Sequence, residues 1–170
     1  MARGSATRAP ARRAPGSRRR PTRNVTTAAP SLRYIESSAL LAALLEQDAS
    51  ALKELRADGQ RVTSALTFAE ASRALIRARV AGRITPAEER KGLRALQTFE
   101  RRCAIVAVTD TVLTRAGRPF PVEPIRTLDA IHLATAELLG ETPQLVTLIT
   151  RDDRVRENGR ALGYVMASRK

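Results

Sequence analysis

Glu36, Glu70, Asp129 and Asp152 each stand where an apolar run gives way to a turn or a helix in this 170-residue chain. In an open parallel sheet such junctions collect along the carboxyl edge, where α/β folds place ligands and reacting groups. Four carboxylates gathered there offer oxygen-only ligands, the set preferred by Mg²⁺ or Mn²⁺.

Each acid also has an ordinary explanation when taken singly. Glu36 precedes Ser37-Ser38, and Asp129 falls in the first turn of a helix; negative charge at a helix start is worth roughly 0.3–1 kcal/mol through the dipole. Thr67-x-x-Glu70 has the capping-box spacing, in which the glutamate closes back on the cap. Thr150 can bond to the aspartate two residues on and shape the turn, so Asp152 or Asp153 can be simply a cap. His132, the sole histidine, lies one helical turn beyond Asp129 and reads better as a core-edge residue than as a ligand or base.

Other chemistries are excluded more firmly. One His and one Cys cannot build a four-ligand zinc site, and neither a nucleophile elbow nor a phosphate-cradling glycine loop is present. Cys103 opens the apolar run to Val108 and is expected as a buried strand residue. A lone cysteine forms no intrachain disulfide, and with no secretory signal or membrane span in the sequence the expected location is the reducing cytoplasm.

Alternating periodicities supply the frame for the acids. Strands are predicted at 32–35, 61–63, 104–108, 145–149 and 164–166, the last at a sheet edge. Between them fall helices from Ser38 to Leu45, on through Leu55 to a stop at Asp58-Gly59, and from Thr67 to Val80 with Gly82 as stop. Another opens at Thr85-Pro86-x-Glu88, a capping box with Pro at the first position. Thr109 caps a short helix, Pro119 to Pro124 forms a rigid loop, and Leu128 to Leu139 is helical. Strand–helix alternation with few hairpin signals predicts a three-layer α/β/α sandwich with a mainly parallel central sheet.

Composition divides the chain in two. The net charge is +13, yet residues 1–30 hold eight Arg and no acid, leaving 22 basic against 17 acidic residues beyond them. That segment, rich in Arg, Pro and Ala, has almost nothing to bury and is expected to be a disordered tail before a domain at 31–170. An RNA-binding arm, a translated leader with Val25 as an alternative start, and a transit peptide all fit its composition. With three Phe, two Tyr and no Trp, base stacking is not the expected mode of recognition.

The order and local context of the acids resemble PIN-domain ribonucleases, especially the VapC-type toxins of toxin–antitoxin pairs. Tyr34-Ile-Glu-Ser-Ser-Ala39 resembles the opening motif, and Ser64-Ala-Leu-Thr-Phe-Ala-Glu70 the second. Arg126-Thr-Leu-Asp-Ala-Ile-His-Leu-Ala-Thr-Ala136 is close to the third, and Thr150-Arg-Asp152 with Ala161-Leu-Gly163 to the last. The resemblance spans residues 32 to 166. It implies a metal-dependent endoribonuclease, with Glu36, Glu70, Asp129 and Asp152 as catalytic acids, and Glu36, Asp129 and Asp152 holding Mg²⁺ or Mn²⁺. Ser38 and Thr150 would be supporting hydroxyls, and Arg73, Arg77 and Arg126 candidates for RNA phosphates. It further implies a homodimer, a cognate antitoxin and an RNA substrate. Glu36 departs from the family, which usually has Asp there; a catalytically impaired RNA-binding module is therefore the alternative.

Overall fold

Short β-branched and apolar runs separated by helices build one sheet in the computed structural model, which describes Met1 and residues 32–168. The strands are β1 (Leu32–Ile35), β2 (Gln60–Ser64), β3 (Ala104–Val106), β4 (Val146–Ile149) and β5 (Val165–Met166). All pair in parallel, in the order β3-β2-β1-β4-β5. The chain winds outward from β1 to β2 and β3, then returns across the sheet to β4 and β5. The β1/β4 boundary is thus the topological switch point, where open α/β sheets bind ligands. The expected disordered tail lies outside the described residues.

The helices α1 (Ser37–Leu45), α2 (Ala49–Arg56), α3 (Leu66–Val80) and α4 (Pro86–Glu100) contact one another as one layer. On the other face α6 (Thr127–Glu137) packs against both α5 (Asp110–Ala116) and α7 (Asp153–Ala161). This is the expected α/β/α sandwich. Because side chains alternate across a strand, Tyr34 and Leu148 join the core beneath α5–α7, whereas Ile35 and Ile149 join the opposite one with Ala39 and Ala167.

Several boundaries differ from the sequence expectation. The Thr85–Glu88 capping box forms in full, but the one expected from Thr67 to Glu70 does not. The helix begins a residue earlier, at Leu66, and its N-cap Ala65 has no side chain to accept a bond. Thr67 turns into the core and shares a 2.7 Å hydrogen bond with Thr63, which frees Glu70 for other contacts. β3 is shorter than predicted, ending at Val106, whose carbonyl accepts from the Ala65 N–H after β2 has ended. Leu145 belongs to a 3₁₀ turn opened by Pro143 and is 64% exposed. Cys103 occupies a half-buried bend before β3 rather than a strand; desolvation pushes its thiol up to about 12, so it stays protonated.

Two tethers fix the loops that carry the acids. Arg151, at the end of β4, donates through Nε to Asp48 (2.9 Å), whose other oxygen caps α2. Asn158 in α7, fully buried, makes a reciprocal pair with the backbone of Val122: Val122 N–H donates to Oδ1 (2.9 Å) and Nδ2 donates to Val122 O (2.8 Å). The second tether pins the proline loop that leads into α6. Asn158→Ala should lower stability by about 2 kcal/mol and Tm by roughly 4–8 °C, with faster amide exchange at Val122. An unchanged Tm would mean that the loop holds its place without the clamp.

Candidate active site

Parallel register aligns Ile35 with Ile149, so the residues that follow β1 and β4 emerge side by side. Glu36 is the N-cap of α1 and only 2% exposed. Its Oε1 accepts from Ser37 Oγ (2.6 Å) and the Ser38 N–H (3.0 Å); its Oε2 accepts from Thr150 Oγ1 (2.8 Å) and from Ser38 Oγ. The Ser38 hydroxyl in turn accepts from the N–H groups of Arg151 (2.7 Å) and Asp152 (3.1 Å), and Thr150 Oγ1 accepts from Asp152 N–H (3.0 Å). Two hydroxyls thereby couple a buried carboxylate just past β1 to the turn after β4. A buried charge is tolerable only when hydrogen-bonded in this way.

Glu70 arrives from α3 and meets His132 from α6, with Oε2 2.6 Å from the ring Nε2. The carboxylate is the acceptor, so Nε2 carries the proton, and on the other side of the ring Nδ1 lies 3.2 Å from the Tyr34 hydroxyl. Burial pushes the Tyr34 phenol well above its ordinary range, which keeps it a donor. The same Nε2 lies 3.9 Å from Glu36 Oε1. Ligand atoms of Glu36, Glu70 and His132 fall within 4.8 Å of one another.

Asp129, in the first turn of α6, is the unsatisfied member. Its Oδ2 is buried and has no hydrogen-bond partner among the described residues. Desolvation, then repulsion from Asp152 and Glu36, with Glu70 adding a smaller push, raise its carboxyl from 3.8 to about 6, against a lowering by Arg126. Asp152 caps α7, with Oδ1 accepting from the N–H groups of Arg154 (2.8 Å) and Val155 (3.1 Å). Its cap role and its place beside Asp129 coexist, because one oxygen takes both cap bonds.

The structure therefore brings Glu36, Glu70, Asp129 and Asp152 to one edge, with Ser38 and Thr150 in direct contact with Glu36. Asp153 is exposed in the first turn of α7. Arg73 and Arg77 are exposed on α3, three and seven residues past Glu70, and so follow it along one helix face. Arg126 is the N-cap of α6 and acts electrostatically on Asp129. His132, expected at the core edge, is 1% exposed and turns its Nε2 toward Glu70. Ser37 and Tyr34 were not singled out as partners; only the adjacency of Ser37 to Glu36 hinted at its bond, and nothing in the spacing pointed from Tyr34 to position 132.

The sequence profile of the PIN domain matches residues 33–161. The chain is similar to "Ribonuclease VapC46" of Mycobacterium tuberculosis, 41% identical over 135 residues that make up 78% of this chain and 94% of that protein. "Ribonuclease VapC35" of the same organism is 34% identical, with 79% and 95% covered. Among solved structures, VapBC2 from Rickettsia felis bound to a promoter DNA fragment superposes with TM-score 0.55 at 12% identity, over 79% of this chain and 96% of that one. A toxin–antitoxin complex from Klebsiella pneumoniae gives 0.54 at 19% identity, with 81% and 98% covered.

An acid whose folded-state value exceeds its unfolded one binds more protons in the native state between the two values, so it removes stability as pH rises through that window. For Asp129 the window runs from 3.8 to about 6. Metal-free protein should therefore lose stability over that range relative to Asp129→Asn, and the variant should have the higher Tm at neutral pH. Thermal melts from pH 4 to 7.5 in EDTA check this; a variant less stable than wild type at neutral pH would show that the carboxylate is not repelled.

Proposed function

The chain belongs to the PIN-domain family and within it to the VapC group, and from that membership we propose that it is a metal-dependent endoribonuclease, the toxin of a toxin–antitoxin pair. The observation that carries this reading is the Asp129 oxygen, buried without a donor among three further carboxylates at the switch point of the sheet. A hard divalent cation fits that donor set. Asp129, Asp152 and Glu36 would hold Mg²⁺ or Mn²⁺, and the relatives named as ribonucleases supply the substrate class. Bound there, such an ion supplies a more acidic water, a ligand for a phosphate oxygen and compensation of charge developing during in-line attack.

The chain's own residues supply position. Glu36 is fixed on both oxygens by Ser37, Ser38 and Thr150, so its extra methylene relative to the usual aspartate is absorbed within a rigid hydroxyl network. Glu70, whose side chain is 20% exposed, would orient a water or accept a proton at its carboxylate. Arg126 beside Asp129, with Arg73 and Arg77 along α3, offers a path of positive charge for the RNA backbone, balancing an otherwise repulsive acidic edge. A homodimer and an antitoxin partner in the cytoplasm are part of the same proposal. Among the described residues no helix is long and apolar enough to cross a membrane.

One observation favours a second reading, an RNA-binding module with impaired catalysis. Glu36 already receives four hydrogen bonds, so recruiting it to a cation means giving some of them up. The test is cleavage of a mixed cellular RNA pool with Mn²⁺, Mg²⁺ or EDTA. Wild type should give discrete products that EDTA abolishes, and Asp129→Asn should fall by about 100-fold or more while remaining folded. Cleavage by Asp129→Asn at the wild-type rate would sink the assignment. Silence from wild type with products from Glu36→Asp would establish the second reading.

A further inference from the structure

We infer that His132 is a positioning residue, an imidazole braced by Tyr34 that holds Glu70 inside the carboxylate cluster; this rests on the ribonuclease reading for its consequence in catalysis, though the clamp itself does not. Glu70 has a flexible side chain, no role in capping its own helix, and like-charged neighbours in Glu36 and Asp129. Its side chain is 20% exposed, so a solvent-facing rotamer is open to it. The bond from His132 Nε2, at 2.6 Å, is what opposes that escape.

The ring cannot follow Glu70 outward. Tyr34 is fully buried on β1 and His132 is 1% exposed on α6. Their rings meet edge-on, 6.4 Å apart at 72°, and the Tyr34 hydroxyl bonds to Nδ1 behind the working nitrogen. A central strand and the buried face of a helix thus fix one end of the clamp, while α3 presents the other. The arrangement is that of an outer-shell partner which orients an acid without touching substrate, and loss of such partners typically costs about 10–100-fold in metal affinity or activity.

The experiment uses the full chain in four forms besides wild type: His132→Leu, His132→Gln, Glu70→Ala and the double variant Glu70→Ala/His132→Leu. With a single histidine in the sequence, the imidazole nitrogen signals in ¹⁵N-labelled protein report on this ring alone. Glu70→Ala should shift Nε2 substantially at constant pH, and it leaves His132 in place. On a short RNA cleaved by wild type with Mn²⁺, His132→Leu should lower kcat by about tenfold or more with KM little changed. His132→Gln, whose amide can still donate to Glu70, should recover much of the loss. The double variant should be no worse than Glu70→Ala, because both changes remove one interaction.

An Nε2 signal unmoved by Glu70→Ala, or losses that multiply in the double variant, would overturn the clamp. Should wild type fail to cleave any RNA while Glu70→Ala still shifts Nε2, the ribonuclease reading fails and the clamp stands. If His132→Leu does not fold, the imidazole signal and the His132→Gln kinetics decide alone.

Discussion

The parallel pairing of β1 with β4 is the constraint on which the rest of the site depends. These strands are distant in sequence, and their connections leave in opposite directions, β1 into α1 on one face and β4 into α7 on the other. Registration of Ile35 with Ile149 then sets Glu36 beside Thr150, and Ser38 beneath the N–H groups of Arg151 and Asp152. A slip of one residue would turn one partner of the pair, Tyr34 or Leu148, to the wrong face and would separate the Thr150 hydroxyl from Glu36. Core packing and site assembly are therefore the same requirement, met by the same four-residue strands.

Within that frame the acids are treated unequally. Glu36 is saturated with donors, Glu70 has the imidazole, Asp152 has the start of α7, and Asp129 has burial and repulsion. The difference divides labour between structure and chemistry: three acids are tied into local or tertiary bonds, and the fourth keeps a buried oxygen without any. Proteins commonly leave such costs where function requires them. The rigid elements around Asp129 resist its relaxation, because α6 carries an unbroken buried run from Ala130 to Ala136 and cannot rotate the aspartate outward without exposing that run.

Much of this was legible in the sequence, for identifiable reasons. Strand–helix alternation and strong stops at Gly82 and Thr85-Pro86 fixed the layer architecture, and the four acids each followed a recognisable junction. Local rules failed where tertiary contacts outbid them. The Thr67–Glu70 spacing satisfies a capping box, yet a core threonine pair and an imidazole 62 residues away claim both side chains. His132 reads as a core-edge residue and is buried; only the contact between Glu70 on α3 and His132 on α6 reveals which way its ring faces. Edge lengths were hardest: strands are expected at 104–108 and 164–166 and both form, but β3 stops at Val106 and β5 keeps only Val165 and Met166.

Those short edges have a consequence for how the protein behaves at high concentration. β3 contributes three residues to one flank of the sheet and β5 two to the other, although Ile105 and Val165, both apolar, are more than two-fifths exposed. Strand addition relies on a long ladder of unpaired backbone groups, and neither flank supplies one. Among the described residues, apolar side chains at the margins thus come without the template that would convert sticking into fibril growth.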